Sequence, residues 1–251
     1  MTQSKCRRRR RAPSLLLGLS LALSTAVGAT PENGEGDPLE SINRGVFAFN
    51  DTTDRWLLRP LADTYTDLAP SFVRRGVSNA LRNLRDVNYA INALFQGRWD
   101  DAAANASRFA FNSTLGLAGT IDVATAGGID SSYADFGQTL ATWGMPSGPF
   151  IMIPIIGPST LRDGAGFGVD AAVLSVPAHI ESTEVSAAIW GTAVVHTRSQ
   201  LLGMDDLVTG DRYIFMRDAY LQRRRVTLGE DVELDNFGDF GDFEDDLSEE
   251  F

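Results

Sequence analysis

The chain has 251 residues and carries 33 Asp+Glu against 22 Lys+Arg, a formal net charge of −11. Six of the basic residues and none of the acids lie in residues 1–29, so the remainder holds 16 against 33, a net of −17. So acidic a chain is a poor partner for nucleic acid, whose phosphates require a basic face.

The N-terminus has the three parts of a secretory signal. Lys5 and Arg7 to Arg11 are basic, Leu15 to Leu23 is apolar, and Val27-Gly28-Ala29 offers small residues for cleavage before Thr30. The apolar stretch is too short for a transmembrane anchor. The one cysteine, Cys6, falls inside this segment, so the expected mature chain has no disulfide and no thiol chemistry. Residues 30–36 read as a polar linker.

Asp37-Pro38-Leu39-Glu40 reads as an N-cap, a first-turn proline and a glutamate closing a capping box. Leu39, Ile42, Val46, Phe49, Thr53 and Trp56 follow at helical spacing, and Arg59-Pro60 is expected to end the helix. A second helix is predicted over Ser71 to Phe95, with Val73, Val77, Leu81, Leu84, Val87, Ile91 and Leu94 as its apolar stripe and Gly97 as its stop. An alanine-rich helix is expected from about Asp100 to Thr114, and a short one around Phe136 to Trp143.

The run Gly148-Pro149-Phe150-Ile151-Met152-Ile153-Pro154-Ile155-Ile156-Gly157-Pro158 is apolar and punctuated by proline, which excludes an interior helix or a central strand. It predicts an irregular loop or edge hairpin lying on something apolar: the protein's own core, a lipid path or a membrane. Gly164-Ala165-Gly166-Phe167-Gly168 is expected to be a flexible turn. Further helices are predicted from about Thr183 to Leu202 and from about Asp211 to Arg225. In the second, Arg217 between Tyr213 and Tyr220 suits cation–π stacking. Residues 230–251 hold 11 acids and no Lys or Arg, the composition of a disordered tail, with Phe237, Phe240 and Phe243 as possible docking anchors. Strand-like alternation is almost absent, so the expected fold is mainly α, in one domain over 37–229.

No nucleophile elbow, H-E-x-x-H, phosphate loop or strand-linked G-x-G-x-x-G is present, and the two histidines, His179 and His196, have no ligand or triad spacing. No enzyme, metal or cofactor is expected. Nor is there a nucleotide-binding loop, and a protein that moves lipid without an energy source can only provide a path.

Several motifs in one order resemble the MlaA/VacJ family. They are Asp37-Pro38-Leu39-Glu40-Ser41-Ile42-Asn43-Arg44 with Phe47, Phe49 and Asn50; Arg59-Pro60; Asn105, Arg108, Phe109, Asn112, Ser113 and Gly116; Phe136-Gly137-Gln138-Thr139-Leu140 with Trp143-Gly144; Gly148 to Asp163; and Arg217, Tyr220, Gln222, Arg223 and Arg224. The resemblance implies a ring of amphipathic helices around a channel, held on the periplasmic side of the outer membrane. It further implies passage of phospholipid to a periplasmic lipid carrier feeding an inner-membrane ABC transporter, beside a trimeric porin, so that outer-membrane lipid asymmetry is maintained. The alternative is a soluble periplasmic lipid- or protein-binding module without channel activity.

Family members are typically acylated on a cysteine at the cleavage site. Thr30 stands there in this chain, so attachment is expected from apolar surface or a partner. The candidates for lipid path or membrane contact are Phe150, Ile151, Met152, Ile153, Ile155, Ile156, Phe47, Phe49 and Trp56. Those for the motif and channel are Asn43, Arg44, Asn50, Arg162, Asp163 and Arg217, with Arg74, Arg75 and Arg82 as further phosphate partners. Asn43 and Asn50 lie seven apart on one helix face, near the channel or bonding neighbouring helices.

Overall fold

A computed structural model describes residues 37–203 and 210–229; the predicted signal, linker and acidic tail lie outside the described residues. Mainly α, these comprise α1 (Glu40–Thr53), α2 (Arg59–Leu68), α3 (Ser71–Phe95), α4 (Trp99–Thr114), α5 (Val123–Ala126), α6 (Phe136–Thr142), α7 (Leu161–Val169), α8 (Thr183–Ser199) and α9 (Arg212–Leu228). A single hairpin, β1 (Phe150–Ile153) and β2 (Gly157–Thr160), is antiparallel with Phe150 opposite Thr160 and Ile153 opposite Gly157.

Several boundaries follow from caps. Asp37 accepts from Leu39 N–H at 2.9 Å before α1, while Glu40 turns to Arg44 at 2.6 Å instead of closing the box. The Asp211 carboxylate caps α9, and Gly229, at φ 71°, ends it. Arg59-Pro60 does not stop the first helix. A π-helical turn, Asp54–Leu58, joins α1 to α2, and Arg59 N–H reaches back five residues to the Asp54 carbonyl. Pro60 then falls at the start of α2, where its missing N–H matters least.

The glycines at 164–168 are helical, not a turn. A Cβ on Gly166 would stand 2.4 Å from the Gly137 nitrogen, so α6 and α7 cross with their backbones in contact, which only glycine permits.

The burial pattern is inverted. Among the described residues nine hydrophobic side chains are buried, six of them alanine, against sixteen polar or charged ones. All four tryptophans are exposed, Trp56 by 82%. The stripe predicted on α3 shows the same inversion: none of its seven residues is buried, and the buried ridge is Asn83, Asp86, Ala90, Asn92 and Ala93. Periodicity identified an apolar face, but five of its residues are only half-buried and Val73 and Leu94 are exposed, so it is not the face the fold buries fully. No described helix is long and apolar enough to cross a membrane.

Polar side chains therefore do the tying. The largest helix pair, α3 with α4, closes over Arg108, which is 1% exposed. Its guanidinium reaches Asp86 (3.2 Å), Asp122 (3.0 Å), Thr125 Oγ1 (2.8 Å) and the Ile129 carbonyl (2.6 Å). The Asn105 amide brackets Ser132 (Nδ2 to its carbonyl, 2.8 Å; Oδ1 from its N–H, 3.1 Å), and Asn112 holds Asp122 and Ala124 N–H. Those motif residues, at spacings of three and seven, pin the 115–135 connection to α4.

On the other side α8 is fastened to the first helix pair. Arg198 grips Asp54 with two bonds (2.6 and 3.0 Å), and His196 Nδ1 lies 3.2 Å from the Tyr65 hydroxyl with the rings edge to face. Burial, with Arg85 and Arg74 nearby, holds the His196 imidazole below its usual value. Because the folded value lies under the unfolded one, the stability tied to neutral His196 is complete above about pH 6.5 and is lost as pH falls through the folded value. Thermal unfolding in mild detergent should therefore show the midpoint dropping between about pH 7 and about pH 5. His196→Gln should flatten that drop; equal slopes would remove His196 as its cause.

Candidate functional site

The first element of the site is a clasp between α1 and the hairpin. Asn43 donates from Nδ2 to the Phe150 carbonyl (3.0 Å) and accepts at Oδ1 from Met152 N–H (2.8 Å). Two helical turns on, Asn50 repeats the pattern, donating to the Ile153 carbonyl (3.0 Å) and accepting from Ile155 N–H (2.7 Å). Each carboxamide presents one donor and one acceptor, as a neighbouring strand would, so a helix serves as the edge partner of β1. For both asparagines the sequence left open a place near the channel or bonds to neighbouring helices; the bonds found run to the hairpin backbone. Ile155, held at φ 68°, is a β-branched residue in the left-handed region, and Asn50 secures its N–H there.

The clasp sorts the apolar candidates. Phe150 and Met152 are buried with Tyr213, against Val46, Phe47 and Tyr220. Ile151 and Ile153 turn to the opposite face, where a Cβ on Gly164 would lie 3.2 and 3.0 Å from their Cδ1 atoms. Ile155 (62%) and Ile156 (50%) form the exposed hairpin tip, and Phe49 and Trp56 point outward from α1 and the π turn. Phe47 instead packs edge to face on Tyr213 at 5.9 Å.

Asp163, capped into the first turn of α7 by Thr160 Oγ1, is the second element. Its carboxylate receives Arg162 Nε (3.0 Å), Arg224 Nη2 (2.9 Å) and the Tyr220 hydroxyl (2.9 Å). Arg224 spans from there to Asp135, with bonds of 2.5 and 2.9 Å. Burial alone would raise the Asp135 carboxyl, and the Arg224 guanidinium outweighs it, holding that acid below its ordinary range. Asp170 accepts from Phe136 N–H (2.9 Å) and Asn92 (2.8 Å), and burial pushes its acid up. Arg162 keeps Nη2 buried without a hydrogen-bond partner among the described residues. Asp135, Asp170, Asn92 and Arg224 as a network escaped sequence reading, since helical spacing carries no sign of long-range pairing.

The remaining arginine candidates separate by engagement. Arg44 stands 4.6 Å over the Tyr213 ring and pairs with Glu40 (2.6 Å) and Asp211 (2.8 Å). It takes the aromatic role expected of Arg217, which pairs instead with Asp218 at 2.9 Å. The Tyr213 hydroxyl donates to Asp37, which also receives Asn43, so the start of α1, the hairpin and α9 meet at one carboxylate. Arg74 donates to the Thr66 carbonyl at 2.9 Å.

The third element is a polar cleft of about 720 Å³ between the α3–α4 turn, the loop at 131–133, α6 and the end of α9. Gln96, Arg98, Ser131, Tyr133, Gln138 and Arg223 are among the residues that line it. Arg98 is committed to its walls through Asp101 (2.6 Å) and Ser132 (2.7 Å), while Arg223 is exposed. Among the described residues no group of three or more His, Cys, Asp or Glu side chains is placed to hold a metal ion.

Residues 35–227 match the family model of the MlaA lipoprotein. The intermembrane phospholipid transport system lipoprotein MlaA of Shigella flexneri is 35% identical over 221 residues, covering 85% of this chain and 86% of that protein. Its namesake in Escherichia coli K12 is 34% identical over the same shares, and that of Haemophilus influenzae is 32% identical over 77% of this chain and 80% of its own. A solved structure bearing on the structural basis for maintenance of bacterial outer membrane lipid asymmetry superposes with a TM-score of 0.69 at 34% identity, covering 77% of this chain and 100% of that one.

Removing an asparagine leaves two hairpin backbone groups without their partner, at about 1–3 kcal/mol where they are buried. Asn43→Ala, whose bonds are buried, should lower stability by about that much; Asn50→Ala, nearer solvent, should lower it less and raise amide exchange at Ile155 first. Unchanged exchange in the hairpin of both variants would show that packing alone holds it.

Proposed function

The chain belongs to the MlaA lipoprotein family, and on that footing we propose that it gives phospholipids a passage out of the outer leaflet of the outer membrane, for retrograde transport that maintains lipid asymmetry. The observation that carries the reading is the inverted burial, with polar groups inside and apolar side chains outside.

The physical difficulty in moving a phospholipid is its headgroup, because a charged or polar group costs several kcal/mol or more in hydrocarbon. A protein sitting in lipid with a hydrogen-bonding interior removes that barrier without an energy source. Exposed Phe49, Trp56, Ile155 and Ile156 face the acyl chains, and the cleft beside Arg98 and Arg223 receives headgroups. In this reading no bond is made or broken, and direction comes from the partners: a soluble periplasmic lipid carrier that empties the passage and an inner-membrane ABC transporter that empties the carrier. A trimeric porin stands beside the chain in the outer membrane. The apolar exterior holds it at the periplasmic side of that membrane, after export through the N-terminal signal.

Deleting the gene should raise outer-leaflet phospholipid and detergent sensitivity, and the wild-type gene in trans should reverse both. Trp56→Asp, which sets a charge on the lipid-facing surface at about 2–4 kcal/mol, should complement poorly and shift the chain out of the membrane fraction. Outer-leaflet phospholipid that is the same with and without the gene would overturn the reading.

A further inference from the structure

Of the arginines named as phosphate candidates, four are engaged: Arg44, Arg74, Arg162 and Arg217 each hold a protein acceptor. Arg75 and Arg82 differ. Arg75 is exposed and has no hydrogen bond or ion pair with any described residue. Arg82 reaches only Asp122, at 3.5 Å, and that carboxylate is already occupied by Arg108, Asn112 and Thr125. Seven residues apart, the two guanidiniums stand in one row on α3, next to Phe72, which is also exposed.

Beside this row lies the loop after α4, an apolar tip held rigidly. Leu115 and Leu117 are about 70% exposed, and Ile121 is half exposed. Leu117 (φ 50°) and Ala118 (φ 56°) are consecutive non-glycine residues in the left-handed region, a conformation that persists only when its surroundings impose it. The loop is imposed from both sides. Asn79 donates to the Thr120 carbonyl (3.0 Å), Gly119 N–H to the Asn112 carbonyl (2.8 Å), and Ile121 N–H to the Gly116 carbonyl (2.9 Å). A Cβ on Gly116 would lie 2.2 Å from the Ile121 carbonyl oxygen, so the turn is closed tightly.

We propose that Arg75, Arg82 and the Leu115–Ile121 loop form a docking site for an anionic phospholipid surface, the leucines entering the acyl region while the guanidiniums take headgroup phosphates. This rests on the reading that the chain sits at a membrane, and adds a lipid preference to it. Apolar side chains fixed at a loop tip suit a fluid partner that can close around them. Arg75 has no protein acceptor among the described residues and Arg82 only a shared carboxylate at 3.5 Å, so both keep donors available for a phosphate from outside the chain.

The test is flotation of the purified chain with vesicles of phosphatidylcholine alone or mixed with phosphatidylglycerol, at low and high salt. The mixed vesicles should bind more tightly, and salt should erase the difference. R75Q/R82Q should weaken binding to mixed vesicles roughly thirtyfold, about fivefold per arginine, and leave phosphatidylcholine binding unchanged. R75K/R82K should restore most of it, and L117Q should weaken both. Inorganic phosphate as competitor should not displace the chain. R75Q alone provides the test should R82Q unfold, because Arg75 holds no contact. Equal binding of wild type and R75Q/R82Q to mixed vesicles, or displacement by phosphate, would overturn the proposal while leaving the passage reading intact. Failure to float with either vesicle would sink both.

Discussion

The rest of the structure depends on where its hydrogen bonds are. A chain whose large apolar side chains face outward gains little from burying them against one another, so its helices must be joined by directional contacts. The buried Arg108 cluster, the Asp163–Arg224–Asp135 chain and the asparagine bridges supply these. Such contacts are strong only when complete: a buried charge that loses its partner costs about 3–5 kcal/mol. Among the described residues the Arg108 guanidinium has every nitrogen bonded, whereas Arg162 Nη2 and Arg224 Nε in the Asp163 cluster are buried without a partner.

This arrangement explains which parts of the fold were legible in the sequence. Helix limits were, because they are written locally. Ser71–Phe95 was placed to the residue, with Gly97 as its stop, and the start of α9 was expected at about Asp211, where its cap stands. Which way a helix faces was not legible, since a stripe of Val and Leu at helical spacing looks the same whether it meets protein or lipid. The counter-signal was present in the asparagines at 43 and 50 and at 105 and 112, polar residues repeating every two turns on one helix face.

The failures at Pro60 and at 164–168 share a cause. A π turn and a backbone-to-backbone helix crossing both depend on what lies elsewhere in the chain. Pro60 is tolerated because the helix was widened just before it, and Gly166 is helical because Gly137 leaves it room. The partners of Asn43, Asn50 and Asp163, hairpin carbonyls and Arg224, lie some 60 to 107 residues away and could not be read from the sequence.

The way α1 holds the hairpin has a consequence for how this protein can vary. On the hairpin, Asn43 and Asn50 bond peptide groups and no side chain, so their grip there is blind to which side chains the hairpin carries. Its exposed tip can therefore exchange one apolar residue for another while its position relative to the helix is preserved by two carboxamides whose hairpin bonds all go to the backbone.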